Sequence, residues 1–251
     1  MKLHKNTIVD LLRLNGITDK ITKVVPTTFY GYLYDNTFGS QEATLEDIEK
    51  VIRKLKPKKV LELMGGNGFE SYLLSQKFPT IDFTYLDIRK YKNNYLTNNC
   101  KFVRESCLAD KIIGKFDLIF VGTTNASVSE FTNIEQLKNL QKFCYNNLTS
   151  NGECFLGINI GSISDIKVEL DYSVDVTFEN KEVRWGNLIV RDLVEVIEKY
   201  YLFWIEDTTL HYSLLPYTYK IWSLDVLRII FGSSFLFKNI GDRFAHLKRK
   251  V

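Results

Sequence analysis

The sequence predicts an α/β fold with a β-rich insertion, and three observations carry that reading. Between about residues 44 and 161, strand-like apolar runs alternate with segments of helical period. A glycine cluster, M-G-G-N-G at 64–68, follows directly on the first of those runs. Beyond about residue 162 the apolar pattern changes to strict alternation, the period of half-buried strands. A chain of 251 residues suffices for one large domain, or for one domain carrying an inserted subdomain. With 45% hydrophobic and 25% charged residues it can build a sizeable core.

The elements follow in order. The first 25 or so residues read as helix, with Ile8, Leu11, Leu12 and Leu14 near helical spacing and Gly16 as a stop. The tyrosine-rich stretch T-F-Y-G-Y-L-Y-D-N-T-F-G-S, 28–40, has no helical period and reads as a loop or short strand. A helix then starts at Thr44, whose spacing to Asp47 fits a variant capping box, and repeats Leu45, Ile48, Val51, Ile52 and Leu55 before Pro57. K-V-L-E-L-M, the glycine turn and F-E-S-Y-L-L-S-Q-K-F form strand, turn and helix, ended by Pro79. I-D-F-T-Y-L-D-I (81–88), K-F-V-R (101–104) and F-D-L-I-F-V-G (116–122) are the next strands, the last a continuous apolar run suited to a buried parallel position. A helix spans about 133–148, and N-G at 151–152 turns into the fifth strand. Beyond residue 162, two to four antiparallel strands are expected, with tight turns near 180 and 198. A helix over 223–231 and two terminal strands close the chain. The expected division is 1–43 as an N-terminal helix and tyrosine-rich lid, 44–161 as a core, 162–220 as the β insertion, and 221–251 as the return helix and terminal hairpin.

Composition narrows the partners. A formal net charge of +3 is too small to argue for nucleic acid, and the basic runs at Lys58-Lys59 and at L-K-R-K-V, 247–251, read as solvated surface. Cys100, Cys107, Cys144 and Cys154 form no C-x-x-C and pair with no histidine at metal spacing, so free thiols in a cytoplasmic protein are expected, with no metal. The opening M-K-L-H-K-N has no long apolar stretch and no run is long enough to span a bilayer, so neither a secretory signal nor a membrane partner is expected.

The glycine turn admits two readings. Gly66-x-Gly68-x-x-Ser71, with Asp87 near the ribose-binding position, approaches the dinucleotide fingerprint, with Ser71 where its third glycine belongs. The second reading uses Glu62 as well. V-L-E-L-M-G-G-N-G resembles the first motif of class I S-adenosylmethionine-dependent methyltransferases, an apolar strand, an acid and then small-x-G-x-G. Glu62 takes the acidic position, Gly66 and Gly68 the glycines, and Met64 a position usually small. Y-L-D-I resembles the second motif, F-V-R-E-S-C-L-A-D the third and F-D-L-I-F-V-G-T-T-N-A-S the fourth. The resemblance covers roughly residues 44–160 and the last 30 or so. It implies a Rossmann-like methyltransferase sheet of order 3-2-1-4-5-7-6, helices on both faces, and S-adenosyl-L-methionine as methyl donor. It implies donor contacts at Glu62, Met64, Gly65, Gly66, Gly68, Asp87, Ile88, Glu105, Ser106, Cys107, Gly122 and Thr123. Asp87 would accept hydrogen bonds from the ribose hydroxyls.

The general plan is most similar to small-molecule methyltransferases that N-methylate nucleotide-linked amino sugars, in which an antiparallel sheet is inserted after the fifth strand. Tyr34-Asp35 matches their N-terminal Tyr-Asp segment in kind, and Thr123 to Ser127 their polar loop. The loop histidine that some of them use is absent. The resemblance therefore implies metal-independent transfer to a nitrogen or oxygen of a small molecule, with Tyr30, Tyr34 and His211 as candidates for handling the acceptor. The insertion offers a surface for a homodimer. An RNA or protein acceptor is the alternative. So is donor-site binding without catalysis, because a long Met64 side chain beside the donor could occlude it.

Overall fold

The computed structural model describes residues 4–17, 20–27, 45–90, 94–121, 128–158, 166, 168–178, 181–213, 217–240 and 244–250. In chain order the elements are α1 (Lys5–Leu14), β1 (Lys23–Thr27), α2 (Glu46–Leu55), β2 (Lys59–Leu63), α3 (Phe69–Lys77), β3 (Asp82–Asp87), β4 (Cys100–Arg104) and β5 (Phe116–Val121). There follow a short 3-10 turn (Val128–Glu130), α4 (Ile134–Asn147), β6 (Leu148–Gly157), β7 (Val168–Phe178), β8 (Lys181–Asp192), β9 (Ile197–Glu206), β10 (Thr209–Ser213), β11 (Tyr217–Lys220), α5 (Leu224–Gly232), β12 (Phe235–Ile240) and β13 (Phe244–Arg249). They divide into two compact units, Gln41–Gly161 with Trp222–Val251, and Met1–Ser40 with Ser162–Ile221.

The first unit is built on a seven-stranded sheet of order β4-β3-β2-β5-β6-β13-β12. Strands β4, β3, β2, β5 and β6 run parallel, β13 runs antiparallel to β6, and β12, antiparallel to β13, returns to the direction of the others. Counted from β2 as the first strand, this is 3-2-1-4-5-7-6. Both faces are buried, and side chains sort between them by simple alternation. Leu61, Leu63, Ile119, Val121, Cys154 and Leu156 join one apolar cluster with Leu137, Leu140 and Phe143 of α4 and Leu227, Ile230 and Phe231 of α5. Val60, Leu118, Phe120, Phe83 and Phe155 join another with Ile48 and Ile52 of α2 and Leu74 of α3.

Local chemistry sets the helix ends. Asn133 and Gln136 form a reciprocal capping box at the start of α4, and the Ser223 hydroxyl accepts from Val226 N–H at the start of α5. The N-cap of α2 is Leu45, with no side-chain cap; Thr44 lies outside the described residues. At the C-terminal ends, Lys115 Nζ donates to Asn146 O at 2.6 Å and Lys250 Nζ to Gly232 O at 2.5 Å, so cations sit on the free carbonyls of α4 and α5.

The second unit is a mostly antiparallel sheet, β1-β10-β9-β8-β7, with β11 also paired to β9. Helix α1 packs Ile8 and Leu12 against Leu188, Val190, Tyr201, Phe203, Leu210 and Tyr212 on one face. Two expectations change here. The N-terminal helix ends at Leu14, followed by Gly16 at φ +70°, and residues 23–27 form a strand parallel to β10 (Lys23 opposite Thr209). The turn expected near 198 lies at 193–196, because Asp192 Oδ1 accepts from Val194 and Glu195 N–H and folds the chain back two residues beyond the strand. Glu198 to Tyr200 are strand residues of β9.

Candidate functional site

The site predicted around the glycine turn lies entirely in the first unit, at the carboxyl ends of β2 and β3, where ligands bind in open α/β sheets. Alternation along β2 places Glu62 on the α2–α3 face. It breaks at the next position of that series, Met64, whose φ is +56°. This left-handed backbone turns the Met64 side chain onto the cluster of Leu61 and Leu63, on the α4 face, where it is half-buried. Gly65 N–H then donates to Leu86 O at 3.0 Å, so the turn stays tied to β3.

The three glycines do different work. A Cβ on Gly68, at φ +84°, would lie 2.4 Å from the Tyr85 ring, and one on Gly65 would lie 3.0 Å from both the Glu62 carboxyl carbon and Tyr85 Cβ. These two let the loop close onto β3. Gly66, at φ +56°, aims its N–H at Asp87 Oδ2, 3.1 Å away.

Asp87 ends β3 with a side chain that is nearly buried. Its other oxygen, Oδ1, accepts from Arg89 N–H at 2.8 Å. Burial pushes the carboxyl above its ordinary range, and the backbone N–H groups of Arg89, Gly66 and Ile88, with the Arg89 charge, pull it part of the way back. Among the described residues its hydrogen bonds are the two from Gly66 and Arg89 N–H, and an ionised carboxylate offers about four acceptor sites. Ile88 beside it is 59% exposed, an unusual placement for an apolar side chain at the mouth of a sheet.

Glu62 stands beneath the glycine turn, at the end of β2. Its carboxyl is buried, and Oε2 accepts from Ser71 N–H at 3.1 Å and from the Ser71 hydroxyl. It therefore ties β2 to the first turn of α3. Desolvation drives its pKa well up, with Glu70 adding to the rise. Glu105 is also engaged, accepting from Lys111 and from Ser106 N–H, which hold its carboxyl below the ordinary range. The Ser106 hydroxyl accepts from Leu108 N–H, and Cys107 is buried in the α4-face cluster with its thiol pushed up by burial.

Several residues missed by the motif reading complete the site. Ser71, noted only as a missing third glycine, anchors Glu62. Tyr85 forms the floor under the glycine loop. Tyr95 N–H donates to Asn67 O at 2.9 Å, and the Tyr95 ring packs on Phe69 and Tyr72 at 5.1 and 5.2 Å, so residues 94–97 brace the loop from outside. Only Ser71 left a signal, through its spacing from Gly68.

Of the acceptor-side candidates, Tyr30 and Tyr34 lie outside the described residues, as do the donor-side Gly122 and Thr123. His211 sits on β10 in the second unit and stacks on Trp204, with ring centroids 4.6 Å apart and planes at 8°. Burial lowers its pKa, so the imidazole is neutral at neutral pH. Among the described residues no group of three His, Cys, Asp or Glu side chains is placed to hold a metal, and no helix is long and apolar enough to cross a membrane.

No protein-family model and no curated protein matches the sequence. Solved structures do match in fold. The sugar N-methyltransferase KedS8 from Streptoalloteichus superposes with a TM-score of 0.70 at 12% identity, over 89% of this chain and 93% of that one. An S-adenosylmethionine-dependent methyltransferase from Clostridium acetobutylicum gives 0.64 at 12% identity, over 88% and 98%. CalS10, an amino pentose methyltransferase from Micromonospora echinaspora with S-adenosylmethionine bound, gives 0.63 at 12% identity, over 81% and 89%. The chain has the fold of these methyltransferases, and the terminal antiparallel pair sets its sheet apart from an all-parallel dinucleotide fold.

Proposed function

We propose that this chain is an S-adenosyl-L-methionine-dependent methyltransferase acting on a nitrogen or oxygen nucleophile of a small molecule. The observation that carries the reading is Asp87, held at the end of β3 by Gly66 N–H and, among the described residues, with acceptor capacity left on its carboxylate. That suits a pair of ribose hydroxyls, and the exposed Ile88 beside it suits the flat apolar face of adenine. The turn of Met64 onto the α4-face cluster supports donor access, because its side chain is packed with Leu61 and Leu63.

When bound, the donor supplies an electrophilic methyl group on a sulfonium, a good leaving group needing no metal. The protein's part is then orientation and exclusion of water. The glycine loop closes onto Tyr85 and presents backbone to the ligand, and Asp87 fixes the nucleoside end. An amine acceptor must reach the methyl group as the free base. His211, neutral at neutral pH, and Tyr30 and Tyr34 are our candidates for positioning it or taking its proton. The similarity to sugar and amino pentose N-methyltransferases supports an amine on a sugar-like molecule as the acceptor class. We further infer a cytoplasmic protein, with β7 at the end of its sheet as the surface for a homodimer, which light scattering would test.

Calorimetric titration with S-adenosyl-L-methionine tests the donor assignment. Micromolar binding is expected, and Asp87→Ala should weaken it roughly 10- to 100-fold, the worth of one or two hydrogen bonds to a charged group. No binding at millimolar donor, or equal affinity in the variant, would overturn the reading.

A further inference from the structure

In the turn M-G-G-N-G only Met64 and Asn67 carry side chains. Asn67 is nearly buried, and its Oδ1 accepts from Phe69 N–H at 3.2 Å. Met64 is only half-buried, and it holds φ at +56°, a left-handed backbone that glycine adopts freely and an unbranched side chain does not. Packing against the apolar cluster of Leu61 and Leu63 keeps it there. That cluster also takes in Cys107, Val121 and Ile158, at the carboxyl ends of β4, β5 and β6, so it reaches the edge of the sheet where ligands bind. The part of Met64 that the cluster leaves open faces that edge.

Asp87 and Met64 stand at the ends of β3 and β2, paired strands that lie about 4.8 Å apart. In the donor a single carbon separates the ribose from the sulfonium. A donor with its ribose on Asp87 and its adenine toward Ile88 therefore carries its sulfur toward the glycine turn. We infer that Met64 borders that sulfur and confines the transferred group to methyl, as a specificity residue for the donor. A small residue here would leave room beside the sulfur. The thioether fills it with an apolar, adaptable group that excludes water and brings no charge to compete for the methyl. A longer S-alkyl chain meets Met64, which can yield only by leaving the cluster that holds its backbone left-handed.

The inference rests on the donor reading above, and its test separates the two. Calorimetry would give Kd for S-adenosyl-L-methionine, S-adenosyl-L-ethionine and S-adenosyl-L-homocysteine on wild type, Met64→Gly and Met64→Leu. The homocysteine compound has no group to transfer, so its Kd reports any change in the loop alone. In wild type the ethyl donor should bind about tenfold more weakly than the methyl donor, the low end of what one methylene decides in an apolar pocket. Met64→Gly should bring that ratio close to one, and Met64→Leu should keep it. A mere loosening of the loop would weaken all three ligands together and leave the ratio unmoved. Glycine takes a positive φ without strain, so Met64→Gly should fold. If thermal unfolding shows that it does not, Met64→Ala decides. A wild-type ratio of one, or a ratio equal in wild type and Met64→Gly, overturns the inference and leaves the donor reading standing. A wild type that binds none of the three sinks both.

Discussion

The two units carry opposite charge. Gln41–Gly161 with Trp222–Val251 holds 22 lysines and arginines against 16 aspartates and glutamates, a net +6; Met1–Ser40 with Ser162–Ile221 holds 11 against 14, a net −3. The overall +3 hides that difference. In the first unit several cations sit at helix C-termini: Lys115 and Lys250 on carbonyls of α4 and α5, Arg53 and Lys54 in the last turn of α2, Lys77 in that of α3. A parallel sheet with crossover helices collects those C-termini at the strand ends opposite the glycine loop, and basic residues there complement the helix dipoles. The basic excess thus has a structural use that needs no nucleic acid. The second unit, with one described helix and Arg13 in its last turn, has less such demand and pairs charges between strands.

The buried polar groups divide in the same way. In the first unit one group lies at the ligand edge, Glu62, Asn67, Ser71 and Asp87, while others, such as Asn147 at the end of α4 and Glu153 on β6, serve the framework. In the second they bind the sheet internally. Arg191 on β8, with only 6% of its side chain exposed, bonds Glu169 of β7 at 2.6 Å and Glu198 of β9 at 2.7 Å. The sharpest way to break this comparison is Arg191→Ala. It leaves two partly or fully buried carboxylates without their cation and should cost about 3–5 kcal/mol. Arg184→Ala, which removes an exposed partner of Asp175, should cost under about 1 kcal/mol. Chemical unfolding followed by tryptophan fluorescence reads both, and equal losses would remove the distinction.

Next in size is Gly68→Ala. The added methyl meets the Tyr85 ring at 2.4 Å on a backbone at φ +84°. Overpacking and left-handed strain together should cost about 2–4 kcal/mol and abolish donor binding in the same variant. A folded Gly68→Ala protein with unchanged donor affinity would show that the loop is not what the ligand reads.

These features differ in how far the sequence discloses them. Strand-by-strand sorting onto two buried faces was legible, because period and composition are local properties. So was the pairing of Asp87 with a glycine turn, since both ends carry characteristic residues. Strand β1 was not: it pairs in parallel with β10, some 186 residues away, and nothing in K-V-V-P-T marks that partner. The turn at Asp192 had a local signal in its side chain, but the apolar L-V-E-V-I after it reads as continuing strand. Glu62 was legible as an acid and not as an acid bonded to Ser71, because that contact follows from how α3 returns onto β2. Met64 was an oddity until its positive φ gave its side chain a direction.

The smallest expected effect tests whether the polar groups of the first unit are there for the ligand or merely tolerated. Tyr85 is fully buried between the glycine loop and Phe102, whose ring centroid lies 5.2 Å away, and its hydroxyl has no hydrogen-bond partner among the described residues. An unsatisfied buried hydroxyl costs about 1–3 kcal/mol, whereas the ring itself provides the surface against which Gly65 and Gly68 close. Tyr85→Phe keeps the ring and removes the oxygen. It should raise stability by about 1 kcal/mol and leave the loop packing in place. A loss of stability instead would mean that the hydroxyl is satisfied by an ordered water, and that the floor of the loop is polar by design like Glu62 above it. A gain would confine the useful buried polarity at this edge of the sheet to the residues that touch the loop through hydrogen bonds.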